Sequence, residues 1–168
     1  LIGLLLGAAC GTVNGFLIVK TGIPPMIVTL GMQYALRGTV SVLTKGVPIY
    51  PLPDSFTDLE PTKILGLPLI ILIAILIAIV GHISLSRTYF GRSVYALGGN
   101  QEAARISGIN IQRTKMLVYI LMGVLVAFAG MMTASRLGSA EPSTGTGLEM
   151  KVICGAIIGG ISISGGMG

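Results

Sequence analysis

Long apolar runs separated by short polar segments dominate the chain. Residues 64–86 and 116–135 contain no Asp, Glu, Lys or Arg. Each run is close to the roughly 20 residues that an α-helix needs to cross a bilayer core. Three further apolar runs, at residues 1–19, 26–43 and 152–168, complete a set of five candidate spans. The pattern therefore predicts an all-α, polytopic integral membrane protein built as a helical bundle.

The loop between the two charge-free runs, residues 87–115, predicts the orientation. Its charged residues are five bases and one acid: Arg87, Arg92, Arg105, Arg113, Lys115 and Glu102. Short loops rich in Lys and Arg stay on the cytoplasmic side of a membrane. The first four spans then run inward, outward, inward and outward. This order places the acid-containing connections 44–63 and 136–151 outside.

Composition supports the membrane class and excludes several others. Only 10% of the residues are charged, whereas a soluble domain is about a quarter charged. The formal net charge of +5 comes largely from the basic loop, and Trp is absent, so no base-stacking surface for nucleic acid is predicted. The single His, the scattered acids and the absence of paired His and Cys spacing predict neither a catalytic cluster nor a metal site.

Glycines recur every four residues in the first run, at Gly3, Gly7, Gly11 and Gly15. On a helix they share one face, which lets the backbone of a second helix approach closely. The spacing favours helix packing over a pore-lining role. Asn14, the strongly polar residue of this run, lies beside the glycine stripe. Its amide either bonds across to another helix or faces a polar cavity.

The last apolar run is rich in glycine and serine, with Gly159 and Gly160 near its middle. Glycines at this density break a helix. The run is therefore predicted to be a glycine-broken segment, with a re-entrant segment as the alternative to a crossing. Non-helical backbone at membrane depth is tolerated only beside protein or a wet cavity.

The basic loop contains a short predicted helix with marked ends. Asn100 is a good N-cap residue. Glu102 follows in the first turn, where the helix dipole favours an acid. Gly108 suits the position just after the helix. No glycine-rich nucleotide-binding motif occurs in the chain, so nucleotide binding by this chain is not expected.

The side chains of this short helix are small, as in Ala103, Ala104 and Ser107, with Ile106 and Ile109 nearby. Small residues would let the helix fit into a groove of a partner protein. The two isoleucines would then supply apolar anchors.

Several motifs in order resemble a known family. Glu102-Ala103-Ala104 followed by Gly108 is similar to the cytoplasmic coupling motif of permease subunits in ATP-binding-cassette importers. The wider set resembles the ribose-type, monosaccharide branch of these permeases, which is related to branched-chain amino-acid permeases. The set comprises residues 24–31 (PPMIVTLG), 98–108 (GGNQEAARISG), 135–140 (SRLGSA), 159–160 (GG) and 164–166 (SGG). The resemblance covers nearly the whole chain.

The resemblance implies a transport subunit in the bacterial cytoplasmic (inner) membrane, without an ATPase site of its own. Its implied partners are cytoplasmic ATP-binding subunits, a second permease subunit and an extracytoplasmic sugar-binding protein. ATP and Mg would be bound by the ATPase subunits, and no cofactor by this chain. The implied ATPase-coupling residues are Asn100, Glu102, Ala103, Ala104, Arg105 and Gly108. The chain begins and ends inside apolar runs, so we expect residues 1–168 to be part of a single permease domain in a longer chain.

A substrate path is predicted from the few neutral polar or backbone-exposing positions at membrane depth. These are Asn14, Thr29, Gln33, Gly159 and Gly160. Neutral hydrogen-bonding groups suit the hydroxyls of a sugar. A branched-chain amino-acid or signalling-sugar permease of the same architecture is the alternative. A secondary transporter is disfavoured because no acid lies within a predicted span.

Overall fold

The computed structural model describes residues 1–57, 63–64, 67–162 and 165. The described part is almost entirely helical, with one short antiparallel pair of strands, β1 (Lys63–Ile64) and β2 (Leu67–Pro68). The helices are α1 (Ile2–Thr21), α2 (Pro25–Thr44), α3 (Asp54–Thr57), α4 (Leu69–Arg87), α5 (Tyr89–Gly99), α6 (Gln101–Ile106), α7 (Ile111–Leu137) and α8 (Leu148–Ile158).

Four of these helices are long and apolar enough to cross a membrane. They are α1, α2, α4 and α7, with 20, 20, 19 and 27 residues. They coincide with the first four predicted spans, and the predicted all-α, polytopic fold class is confirmed. Asp58 and Glu60 of the predicted outer connection, and Ser164 and Gly166 of the last motif, lie outside the described residues.

The starts of two spans differ from the prediction. The third span was expected from residue 64, but α4 begins at Leu69, because β1 and β2 occupy residues 63–64 and 67–68. Pro68 also disfavours helical backbone at the residue before it. The fourth span was expected from residue 116, but α7 begins at Ile111. Its first turn therefore extends beyond the apolar core of the span and carries charged residues.

The last apolar run is not one continuous helix. Its helix, α8, begins at Leu148 and ends at Ile158, where Gly159 and Gly160 follow. Gly160 has a φ of 93°, a conformation that side-chain-bearing residues rarely adopt. The predicted glycine break therefore falls at these two residues, but the helix before it starts four residues earlier than expected.

The chain divides into two compact units. The first comprises Leu1–Ile75 and Met116–Thr144, and the second comprises Leu76–Lys115 and Gly145–Gly168. The assignment of all 168 residues to one permease domain stays a prediction.

In the first unit, the glycine stripe of α1 packs against α7. A Cβ added at Gly3 would lie 2.8 Å from the Met131 sulfur, and one at Gly15 would lie 2.9 Å from the Met116 sulfur. Low residue numbers in α1 meet high numbers in α7, so the two helices are antiparallel, as the predicted topology requires. The close helix packing expected from the four-residue glycine spacing is confirmed.

The two connections that are predicted to lie outside also meet in this unit. Ile49 and Ala140 exchange backbone hydrogen bonds of 2.9 and 3.1 Å. The Ser135 hydroxyl donates a 2.6 Å hydrogen bond to the Phe56 carbonyl oxygen. Segments that bond to each other this way lie on the same side of a membrane, as the predicted topology requires.

Very little apolar surface is buried within the described residues. Ile18 and Ala104 are the buried hydrophobic residues there, at 5% and 2% exposure. Large side chains on the spans, such as Leu76 at 59%, face outward. In a bilayer these surfaces contact lipid tails or other helices, so the apolar side chains need not be buried within the chain itself.

Candidate functional site

The predicted short helix of the basic loop is present as α6. Asn100 has extended backbone, and its side-chain oxygen accepts a 3.0 Å hydrogen bond from the Ala103 amide. The helix ends at Ile106 with Ser107 as its C-cap residue, and Gly108 follows with a φ of 79°. The predicted cap at Asn100 and the predicted terminating role of Gly108 are confirmed. Both ends of a six-residue helix are thereby fixed by specific residues.

One further contact joins α6 to the start of α7, and another caps α7. The Lys115 ammonium donates to the Gln101 side-chain oxygen at 3.2 Å. The Asn110 side chain caps α7 by accepting a 3.0 Å bond from the Arg113 amide. Neither contact was predicted from the sequence. The cap could have been predicted, because Asn110 directly precedes an apolar helix. The Lys115–Gln101 pair could not, because its members are 14 residues apart in the sequence.

The exposure of α6 defines the surface it offers. Ile106 is 85% exposed, and Glu102 and Arg105 are also exposed. Ala104 is only 2% exposed, so it packs against its own chain. This packing would hold α6 in place when a partner binds its exposed side. The expected second anchor, Ile109, is half-buried. The assignment of these residues to an ATPase-coupling site stays a prediction.

Polar side chains form a stripe along α2. Thr29, Gln33, Arg37 and Ser41 are four residues apart, and all are half-buried. The Thr29 hydroxyl bonds back to the Pro25 carbonyl oxygen at 3.0 Å. Two members, Thr29 and Gln33, were predicted path residues. The continuation through Ser41 was missed, although its four-residue spacing was visible in the sequence.

The charged member of this stripe already has a partner. The Arg37 guanidinium donates a long, 3.5 Å hydrogen bond to the Thr144 carbonyl oxygen. Charged groups within spans usually face protein or water, and Arg37 faces protein. This contact joins Arg37 to the connection after α7 and leaves the neutral groups of the stripe as the candidates for solute contact.

Asn14 has an unusual environment in α1. Its side-chain oxygen is buried, and no donor among the described residues reaches it. An unsatisfied buried acceptor costs roughly 1–3 kcal/mol, so such a group invites a functional explanation. Asn14, Thr29 and Gln33 belong to the first compact unit, whereas Gly159 and Gly160 belong to the second. A path that joins all five residues stays a prediction.

The glycine-broken segment reaches back toward the basic loop within the second unit. A Cβ added at Gly165 would lie 3.1 Å from the Gly98 carbonyl oxygen in α5. In the predicted orientation, α5 lies inside and the start of α8 lies outside. The contact therefore favours a broken crossing over the re-entrant alternative.

These features define a multi-pass membrane protein whose basic loop presents a short, capped helix between two spans. Residues 1–167 match the family described as branched-chain amino acid transport system / permease component, and the chain belongs to this family. The resemblance to the monosaccharide branch of these permeases is also confirmed by the relatives that match along nearly the whole chain.

Three of these relatives come from enteric bacteria. The chain is 37% identical to the D-allose transport system permease protein of Escherichia coli K12, over 99% of this chain and 51% of that protein. It is 39% identical to the ribose import permease protein of the same strain, over 98% of this chain and 53% of that protein. It is 40% identical to the autoinducer 2 import system permease protein of Enterobacter sp. strain 638, over 100% of this chain and 49% of that protein.

The chain spans about half the length of these curated relatives. No solved structure matches it significantly.

Proposed function

We propose that the protein containing this chain is the permease subunit of an ATP-binding-cassette importer. It moves a monosaccharide across the cytoplasmic membrane by alternating access. The observation that carries the proposal is α6, a capped helix exposed in the basic loop between two membrane-spanning helices. Family membership and the names of the relatives support it.

The short helix is suited to transmit force from a partner. Helices shorter than about 12 residues are marginal alone, so α6 depends on its caps and on the packing of Ala104. The Lys115–Gln101 hydrogen bond joins it to the start of α7. An ATPase subunit that holds Ile106 and closes on ATP would displace this loop as a unit and move the attached spans.

The proposed assembly has four kinds of protein component besides the lipid bilayer. Cytoplasmic ATPase subunits bind ATP and Mg and contact α6 through Glu102, Ala103, Arg105 and Ile106. A second permease subunit completes the pathway, and an extracytoplasmic binding protein delivers the sugar. The permease itself makes and breaks no covalent bonds. We place the assembly in the bacterial inner membrane, as befits an importer of this family.

A sugar fits the polar groups of the spans better than an amino acid does. The carboxylate of an amino acid needs a cation or a helix N-terminus, and Arg37 already bonds to the Thr144 carbonyl. Thr29 and Gln33 offer neutral hydrogen-bonding groups to hydroxyls. The relatives named for D-allose and ribose agree with this choice.

A branched-chain amino-acid or signalling-sugar permease is the second candidate. The family description names the amino-acid class, and one relative is named for autoinducer 2. ATP-driven uptake of labelled ribose, allose, arabinose, autoinducer 2 and leucine into vesicles separates these substrates. Uptake of leucine without any sugar would overturn the monosaccharide assignment.

The coupling role is tested on the full-length, tagged protein purified from its native membrane. Ile106→Asp places a charge on the exposed apolar anchor of α6. We expect ATP-hydrolysis activity to co-purify with the wild type and to be lost from this variant. Ile49→Asp is the matched control, because Ile49 is 54% exposed in a connection predicted to lie outside.

Equal loss of ATPase activity from both variants would indicate general damage to the protein, and an intact complex with the Ile106 variant would exclude α6 as the contact. A wild-type protein that transports without any ATPase would point to a secondary carrier instead.

A further inference from the structure

Helix α5 has two distinct faces. Its half-buried or buried residues are Phe90, Gly91, Ser93, Val94, Leu97 and Gly98, and its exposed residues are Tyr89, Arg92, Tyr95, Ala96 and Gly99. At 100° per residue, the exposed residues occupy one continuous arc of the helix. That arc carries two tyrosines and an arginine. We refer to Tyr89, Arg92 and Tyr95 as the basic-aromatic face.

Tyr89 is the most exposed aromatic residue of this face. Tyr89 is 68% exposed and Tyr95 is 39% exposed. No hydrogen bond or ion pair within the described residues engages the Arg92 side chain. The opposite face is held tightly, since a Cβ at Gly91 would meet the Leu85 carbonyl oxygen. The backbone of α5 is therefore in direct contact with the end of α4.

The position of α5 along the chain sets its depth. Arg87 ends the apolar span α4, Thr88 caps α5 through a 3.2 Å bond from the Gly91 amide, and Tyr89 follows at once. The basic-aromatic face thus begins where the span leaves the bilayer core. Tyr is enriched at this interface because its ring is apolar and its hydroxyl is polar.

Charge identifies the lipid class that fits here. Arg87 and Arg92 are both exposed, and Glu102 is the single acid between residues 87 and 115. Anionic lipids give the cytoplasmic leaflet a negative surface potential that attracts juxtamembrane Lys and Arg. An amphipathic helix with aromatic and basic groups at the interface is the arrangement that binds such a surface.

We propose that α5 lies on the inner leaflet and that its basic-aromatic face binds the headgroups of anionic phospholipids. The contact anchors the N-terminal side of the loop that carries α6. An ATPase subunit is the competing occupant of the face, but that role is disfavoured because the tyrosines start directly at the membrane boundary. The inference depends on the predicted orientation and not on which solute is transported.

The test uses the full-length protein in vesicles of brominated phosphatidylglycerol or brominated phosphatidylcholine. The 168 residues contain no Trp, so Tyr89→Trp introduces a fluorescent reporter at this position. Any Trp elsewhere in the full-length protein is replaced by Phe. Brominated lipids quench Trp on contact. Leu76→Trp, on the exposed side of α4, is the lipid-facing control, and Ile106→Trp on α6 is the control outside the bilayer.

We expect the reporter at position 89 to be quenched, and more strongly by phosphatidylglycerol. The expected preference is about fivefold, the factor that corresponds to roughly 1 kcal/mol for one basic residue at the surface. Arg92→Gln should remove most of this preference, and Arg92→Lys should retain it.

Absence of quenching at position 89, with quenching at position 76, would overturn the proposal and indicate that protein or water covers the face. Equal quenching by both lipids would overturn the anionic preference. Neither result bears on the transport assignment, because ATP-driven uptake is measured separately.

Discussion

Replacing Gly123 by Ala should destabilise the contact between α1 and α7. A Cβ at this position would meet the Gly7 carbonyl oxygen and would lie 3.0 Å from the Gly11 Cα. These are backbone atoms of a regular helix, so no side chain can rotate away to make room. The two helices must separate instead, which weakens the van der Waals packing along the glycine stripe.

A second glycine of the same helix provides the matched control. Gly130 also lies within α7, and nothing is within 4 Å of a Cβ built there. Both substitutions gain the same helix propensity, about 0.5–1 kcal/mol for Gly to Ala. Their difference therefore isolates the overpacking term, which is about 1–3 kcal/mol in the free energy of unfolding.

Thermal unfolding of the two detergent-solubilised, full-length variants measures this difference. With roughly 2–4 °C per kcal/mol, the Gly123→Ala protein should unfold about 2–12 °C below the Gly130→Ala protein. Equal unfolding temperatures would refute the close α1–α7 packing. A lower temperature for the Gly130 variant would show that the tight contact lies on another face of α7.

Three other substitutions test separate contacts. Asn100→Ala removes the cap bond to the Ala103 amide, costing about 0.5–2 kcal/mol of α6 stability, and should reduce transport-stimulated ATP hydrolysis. Ser135→Ala removes the bond to the Phe56 carbonyl and should lower the free energy of unfolding by about 0.5–1.5 kcal/mol, measured by thermal unfolding. Asn14→Leu removes an unsatisfied buried amide oxygen and should raise the unfolding temperature while lowering sugar uptake.

Each of these predictions has a defined contrary result. Asn100→Asp retains a cap and should behave as the wild type, so equal losses in both Asn100 variants would exclude the cap as the cause. Ser86→Ala should have a smaller effect than Ser135→Ala, because the Ser86 hydroxyl bonds only within its own helix, to the His82 carbonyl. Unchanged uptake after Asn14→Leu would remove Asn14 from the substrate path.

The sequence predicted the spans well because a bilayer imposes a simple length and polarity rule. Apolar runs of about 20 residues have few alternatives to helix when no water can satisfy their backbone. The errors are local: α4 starts five residues late at Leu69, and α7 starts five residues early at Ile111. Both boundaries depend on turn and cap chemistry, which hydropathy does not report.

The candidate site was predictable to the extent that it depends on local chemistry. The caps at Asn100 and Gly108 follow from residue types at short spacing. The burial of Ala104 and the Lys115–Gln101 bond depend on how separate helices pack, and one sequence contains no direct signal for that. Periodicity predicted that the glycines of α1 would pack, but it could not identify α7 as their partner.

The same contacts indicate how movement of the basic loop would reach the spans. Lys115 lies in the first turns of α7 and bonds to Gln101 at the start of α6, so a displacement of α6 acts directly on α7. Helix α7 has 27 residues and continues to the segment that carries Gly123. There the backbones of α7 and α1 are in close contact. In the proposed importer, α7 would therefore link the loop that carries α6 to the span that packs against α1.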